Sequence, residues 1–246
     1  MSPKTSHKER IILALDKDNL HDAKELILSL KDHIKIFKVG SQLFTQSGKE
    51  IIDILKDNQC SIFLDLKFHD IPNTVARAGE EAAKLGVFMF NIHTSGGYPM
   101  MKECVNSCKK LAETNGLECP YIIGVTILTS VGQKDLIELG FNRKMKDQVL
   151  HLASLGKKAG LDGVVCSPNE VKDIKNLCGD DFLTVVPGIR PSWSLKDDHQ
   201  RLSTPAKAFK EGADFIVIGR PITEASDPLE ATLKIHQEIE TLEKKT

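Results

Sequence analysis

Apolar residues along this chain fall into short runs separated by longer amphipathic stretches, and the two alternate from residue 11 onward. The runs are IILALD (11–16), IKIFKVG (34–40), SIFLDLKF (61–68), VFMFNIHT (87–94), YIIGVTIL (121–128), DGVVCS (162–167), FLTVVPGI (182–189) and DFIVIGR (214–220). Each is rich in Ile, Val or Phe, is bounded by polar residues or glycine, and is too short for a typical helix. That combination predicts buried strands. Between them, NLHDAKELILSLKD, NTVARAGEEAAKLG and MKDQVLHLASLGKKAG carry apolar residues at three- and four-residue spacing, which predicts amphipathic helices. Asn19 and Asn73 stand where helices are expected to start.

A buried strand followed by a helix, repeated, implies a parallel sheet, because parallel neighbours need a crossover. About eight such units fit a closed (β/α)8 TIM barrel of a single domain better than an open doubly wound sheet. The open sheet would show a glycine-rich turn after its first strand, whereas IILALD runs into Lys17-Asp18-Asn19. Residues 1–10 are set apart as a flexible N-terminal extension, with the barrel over 11–246.

Composition narrows the classes. The 246 residues are 41% hydrophobic and 27% charged, with formal net charge −1, so no global field draws the chain to nucleic acid or membrane. An anionic ligand needs a local cluster instead. The polar start MSPKTSHKER has no signal-peptide pattern, and no run approaches the roughly 18 apolar residues of a membrane span. The six cysteines form no C-x-x-C pair, which fits reduced thiols and a cytoplasmic location. Cys104 and Cys108 could share a helix face, but two thiols alone make a poor metal site, and packing is the better account.

Candidate chemistry stands at the C-terminal ends of the strands, where barrel enzymes keep it. The first run ends in Asp16, the second carries Lys38, and the third ends in Asp65 and Lys67, followed by Asp70. The fourth ends in Asn91, His93 and Thr94. Charges inside apolar strands are costly unless paired or functional. Asp65 and Lys67, two apart, are expected on one face. A lysine between carboxylates stays charged and holds a proton ready for a nearby carbanion; the plainer alternative is an ion-pair network that only pins the barrel. Pro187-Gly188-Ile189-Arg190 and Gly219-Arg220 end the last two strands, and such glycine–arginine pairs suit a phosphorylated ligand.

The run DLKFHDIPNT (65–74) resembles the signature segment of the orotidine 5′-monophosphate decarboxylases, bacterial branch. The resemblance continues through A-L-D at 14–16, F-K-V-G around Lys38, V-T-I-L-T-S at 125–130, P-G-I-R-P at 187–191, T-P-A at 204–206 and V-I-G-R-P-I at 217–222. It implies a homodimeric (β/α)8 barrel that converts orotidine 5′-monophosphate to UMP and CO2, the last step of UMP biosynthesis, with no metal and no organic cofactor. By that resemblance, Lys67 protonates carbon six, Asp65 sits beside the substrate carboxylate, and Lys38 and Asp16 hold ribose hydroxyls. Asp70, Ile71 and Thr74 reach the neighbouring subunit's site. Thr129 and Ser130 match the pyrimidine-contacting segment, and Arg190, Gly219 and Arg220 match the phosphate grip. The family's D-Q-x-R is here Asp198-His199-Gln200-Arg201, so either His199 or Gln200 closes over phosphate and base.

Three rivals remain. A metal-dependent keto-sugar-phosphate decarboxylase shares D-x-K-x-x-D but places an acid where this chain has Lys38. A metal-dependent epimerase could use Asp65, His69 and His93, yet no H-x-D pair appears. A catalytically silent phosphate-binding barrel would have little reason to keep every charged motif residue.

Overall fold

In a computed structural model of the chain, which describes residues 7–194 and 203–243, eight parallel strands close into a barrel in the order β1 to β8. The first half runs β1 (Ile11–Ala14), α1 (Leu20–Leu30), β2 (Ile36–Gly40), α2 (Ser41–Ser47), α3 (Glu50–Asp57), β3 (Ser61–Phe68), α4 (Pro72–Lys84), β4 (Met89–His93) and α5 (Gly97–Asn115). The second runs β5 (Tyr121–Val125), α6 (Gln133–Glu138), α7 (Met145–Ala159), β6 (Gly163–Val165), α8 (Val171–Cys178), β7 (Leu183–Val186), α9 (Pro205–Lys210), β8 (Phe215–Ile218), α10 (Arg220–Thr223) and α11 (Pro228–Glu243). All eight expected strands are present, most of them trimmed at the ends. β5, for example, stops at Val125, so Thr129 and Ser130 belong to a connecting segment.

Period-two alternation sorts the strand residues into two cores. One set, with Leu13, Phe37, Leu64, Phe90 and Ile216, faces the helices. The other, with Ile12, Ile36, Phe63, Met89, Ile123, Leu183 and Phe215, fills the barrel interior. Burying one such Ile or Phe contributes roughly 1.5–3 kcal/mol, so the register is firmly specified: slipping a strand by one residue would exchange the two sets.

Local chemistry sets the helix limits. Asn19, extended at φ −147° and ψ 160°, caps α1 by accepting the Asp22 N–H, and Ala23, Leu26, Ile27 and Leu30 form its buried stripe. Gly160, at φ 95°, ends α7 in the left-handed conformation that glycine adopts without strain. The expected start at Asn73 is corrected: α4 begins at Pro72, whose fixed φ and missing N–H suit the first helical position, and Asn73 lies inside the first turn. The T-P-A run is also a helix start, where Thr204 Oγ1 accepts the Lys207 N–H at 3.2 Å ahead of Pro205.

Of the N-terminal extension set apart in the sequence, His7–Arg10 forms a 3-10 turn. Arg10 donates to the Ala213 carbonyl and lies 4.7 Å over the Phe209 ring, so this end of the extension packs on the barrel. Residues 1–6 lie outside the described residues. Cys104 and Cys108 are buried in α5. Its hydrogen bond to Cys108 and burial push the Cys104 thiol well above its ordinary range, which supports packing as its role. Among the described residues, no helix is long and apolar enough to cross a membrane.

The barrel's lower rim is tied by Asp214. Its Oδ2 accepts the Thr184 N–H at 2.7 Å, the Thr184 hydroxyl at 3.0 Å and the Lys175 ammonium at 2.6 Å. Both ends of the ion pair are largely buried, so Asp214→Ala leaves a cation without its partner. We expect a loss of about 3 kcal/mol of stability, read as a lower denaturant midpoint with an unchanged slope.

Candidate active site

The inward parity of the strands decides which side chains meet at the barrel mouth. Two residues beyond the apolar plug, on the same faces, stand Lys38 after Ile36, Asp65 after Phe63 and Asn91 after Met89. On β5 and β7 the corresponding residues are Val125 and Val185. The upper layer is therefore polar on β2–β4 and apolar on β5–β8.

Asp65 joins the charges. The residue is only 8% exposed. Its Oδ2 stands 3.2 Å from Lys38 Nζ, and its Oδ1 accepts from Lys67 Nζ at 2.7 Å and from Asn91 Nδ2 at 2.6 Å. Lys38 Nζ also reaches Asp16 Oδ1 at 3.3 Å. Along Asp16, Lys38, Asp65 and Lys67 the charges alternate in sign. Burial by itself pushes the Asp65 carboxyl upward, but the two ammoniums and the hydrogen bonds from Lys67 and Asn91 outweigh it, holding the carboxyl below its ordinary value.

Lys67 reaches this position through an irregular backbone. The pairing of β3 with β4 runs Leu64 to Phe90 and then Phe68 to Ile92, so three residues of β3 stand opposite Asn91 alone. Within that bulge Lys67 has φ 53°; among the described residues only Gln59 shares a positive φ without being glycine. A left-handed non-glycine residue costs about 1–3 kcal/mol and marks a place the surroundings hold in shape. Simple alternation, which put Asp65 and Lys67 on one face, is thus corrected. The two side chains do meet, but across a bulge.

The array lines a cavity of about 180 Å³, with Lys38, Asp65, Lys67 and Asn91 on its polar side. Val165, Val185 and Val217 belong to its apolar side, and Leu128 and Thr129 border it. A larger cavity, about 450 Å³, lies by the starts of β5 and β7 near Tyr121 and Leu183, away from these charges. Size alone would point to the end of the barrel away from the charged array.

At the rim, Arg190 follows β7 and Arg220 opens α10. Burial and repulsion by Arg220 lower the Arg190 pKa, with Glu224 partly opposing. Two guanidiniums close enough to repel form a place where an anion would relieve the repulsion. A side chain at Gly219 would meet Ala14 Cβ at 3.4 Å and Asp16 Oδ2 at 3.7 Å, so this end of the site adjoins the charged array.

Other expected residues fall outside the cavity of this single chain. Asp70, Ile71 and Thr74 are exposed, Ile71 at 66%, and Asp70 Oδ1 accepts the Ile71 N–H at 2.6 Å. Ser130 is exposed and does not line the cavity. His199 and Gln200 lie outside the described residues. The rings of His69 and His93 are 5.3 Å apart, and burial, then His69 and Lys67, lower the His93 pKa. Among the described residues the one group of three side chains close enough to share a metal is His21, Asp22 and Glu25, all exposed. Asn91 is the residue that sequence reasoning noted but did not assign to the site; its inward parity two places after Met89 was the available signal.

Residues 9–235 match the family model described as orotidine 5′-phosphate decarboxylase / HUMPS family. The orotidine 5′-phosphate decarboxylase of Syntrophomonas wolfei is 47% identical over 235 residues, covering 95% of this chain and 98% of that protein. Its Legionella pneumophila counterpart is 48% identical over 221 residues, covering 90% and 95%. The crystal structure of orotidine 5′-phosphate decarboxylase from Lactobacillus acidophilus superimposes with a TM-score of 0.81 at 39% identity, covering 94% of this chain and 99% of that one. With barrel, charged array and full-length similarity in agreement, the chain belongs to the orotidine 5′-phosphate decarboxylase / HUMPS family.

Proposed function

We propose that Lys67 is the proton donor in decarboxylation of orotidine 5′-phosphate to UMP, the reaction that family membership gives this chain. The observation that carries the reading is one buried carboxylate, Asp65, held between two ammoniums at 3.2 and 2.7 Å at the inner mouth of the barrel.

Breaking the bond between ring carbon six and the carboxylate leaves an electron pair with no good sink in the pyrimidine. An active site accelerates the step only through interactions stronger in the transition state than with bound substrate. A substrate carboxylate placed near Asp65 meets like charge, and that repulsion vanishes as neutral CO2 departs. Lys67 attracts the charge developing on carbon six, then transfers a proton from Nζ to it. Its neutral amine regains a proton before the next turnover. The valines of β6–β8 accept the ring's apolar face, and Thr129 borders its polar edge. Arg190 and Arg220 take the phosphate, with Gly219 leaving room beside Asp16; Asp16 and Lys38 hold the ribose hydroxyls. His199 or Gln200 closes over phosphate and base.

No metal or organic cofactor enters this scheme. In the keto-sugar-phosphate alternative a divalent cation would have to sit beside Asp65, where the Lys38 ammonium already stands at 3.2 Å. The experiment is to follow the ultraviolet absorbance of orotidine 5′-phosphate with purified protein in excess EDTA. Loss of the substrate band with UMP as product is expected. UMP binding without turnover would indicate a silent barrel, and activity only on a keto-sugar phosphate with added magnesium would indicate the alternative.

The exposure of Asp70, Ile71 and Thr74 supports a homodimer in which they complete the partner's site. If so, inactive Lys67→Ala and Asp70→Asn proteins should complement after subunit exchange. Each heterodimer then has one site carrying both defects and one carrying neither, so activity returns to about a quarter of the native value. No recovery in a verified heterodimer would place Asp70 in its own subunit's site.

A further inference from the structure

Asn91 is 1% exposed and both ends of its amide are engaged. Its Oδ1 accepts the Lys67 backbone N–H at 2.8 Å, and its Nδ2 donates to Asp65 Oδ1 at 2.6 Å. The first bond supplies a partner to a backbone N–H inside the bulge of β3, at the residue with φ 53°. The second falls on the same carboxylate oxygen that accepts the Lys67 ammonium at 2.7 Å. One side chain on β4 therefore touches the backbone of Lys67 and the anchor of its side chain. The amide can be oriented only one way, because the N–H needs an acceptor and the carboxylate needs a donor.

We propose that Asn91 is the positioning residue for Lys67: it holds the left-handed bulge and assigns the Asp65 oxygens, Oδ1 to Lys67 and Oδ2 to Lys38. This rests on the reading of Lys67 as proton donor. Asn91 itself contacts no reacting atom in that scheme. Its effect is on where the ammonium sits, and misplacement by about 1 Å lowers a rate by about 10²-fold. Substrate binding draws mainly on the arginines and the apolar wall, so the effect should fall on kcat.

Two variants test it. In folded Asn91→Ala, kcat is expected to fall about 10²-fold while KM and the affinity for UMP stay within about threefold of native. Asn91→Asp keeps the volume and the acceptor for Lys67 N–H but sets a second carboxyl against Asp65 Oδ1. The titratable groups around it are Asp65 and Lys67 on β3, Lys38 on β2, His93 further along β4, and His69 against His93. Two carboxylate oxygens at that separation share one proton. While the proton is present, the introduced group donates to Asp65 as Nδ2 did; once it is lost, they repel. The activity of Asn91→Asp relative to native should therefore fall as pH rises.

A folded Asn91→Ala with native kcat, or an Asn91→Asp ratio that does not change with pH, overturns the proposal. Should the alanine variant fail to fold, the isosteric aspartate decides alone. Failure of the underlying reading looks different: Lys67→Ala would then retain turnover, whatever Asn91 variants do.

Discussion

Lys67→Ala should lose turnover by about 10⁴-fold or more while binding UMP nearly as well as the native protein. The loss combines two roles, each with its own typical size. A positioned general acid contributes about 10²–10⁴-fold, and a preorganised charge aimed at a developing anion about 10²–10³-fold. UMP carries no carboxylate and develops no charge on carbon six, so its binding draws on neither role. The fold should survive. Asp65 Oδ1 keeps its bond from Asn91, and Oδ2 keeps Lys38. The alanine would still occupy the bulge, where its N–H retains the Asn91 acceptor. Single-turnover kinetics with UMP affinity on the same preparation provides the check. Near-native turnover would remove Lys67 from the chemistry.

The second large effect is at Asp65. Asp65→Asn keeps the shape but turns one accepting oxygen into a donating amide and deletes the negative charge between Lys38 and Lys67, leaving two ammoniums without the anion that separates them. Turnover should fall by about 10²–10³-fold, the usual cost of removing one preorganised electrostatic element. The same variant should change the pH dependence of stability. The folded Asp65 carboxyl lies below its ordinary value, despite burial, because of Lys38 and Lys67. Its ionisation therefore stabilises the fold at pH above the ordinary carboxylate range. That contribution is lost as pH falls through the lower folded value, where the native protein must protonate it. Asp65→Asn has no such ionisation, so its stability should decline less steeply over that acidic window. Parallel acid unfolding profiles would show that Asp65 is not the group responsible.

The two effects are coupled through one oxygen. Asp65 Oδ1 serves both Lys67 and Asn91, so substitutions at these three positions should not add. Variants combining any two are expected to cost less than the sum of the separate losses, because each already disturbs the same ammonium.

Much of this protein was determined locally and can be read from its residues. Period-two runs such as IILALD and SIFLDLKF specify strands, because only one face of each suits the barrel interior. Asn19 specifies a helix start because its side chain satisfies an otherwise unpaired N–H. Asp16, Lys38 and Asp65 could be placed together because inward parity and parallel register carry them to the same mouth. Motif order then named the family before any geometry was known. At Asn73 local chemistry was misread, since the adjacent Pro72 is the stronger start signal.

What the tertiary structure alone decided is the bulge at Lys67 and the role of Asn91. A register shift is a property of two strands together: three residues of β3 oppose Asn91 only because β4 lies beside them. No local signal in DLKFHD marks Lys67 as left-handed, for lysine has no preference for that region, and the cost is met by one partner, Asn91, 24 residues away in sequence. The site's location was likewise a three-dimensional matter. The larger cavity lies elsewhere, and only the convergence of four charges and one amide, from β2, β3, β4 and the segment after β1, marks the smaller one as the candidate site.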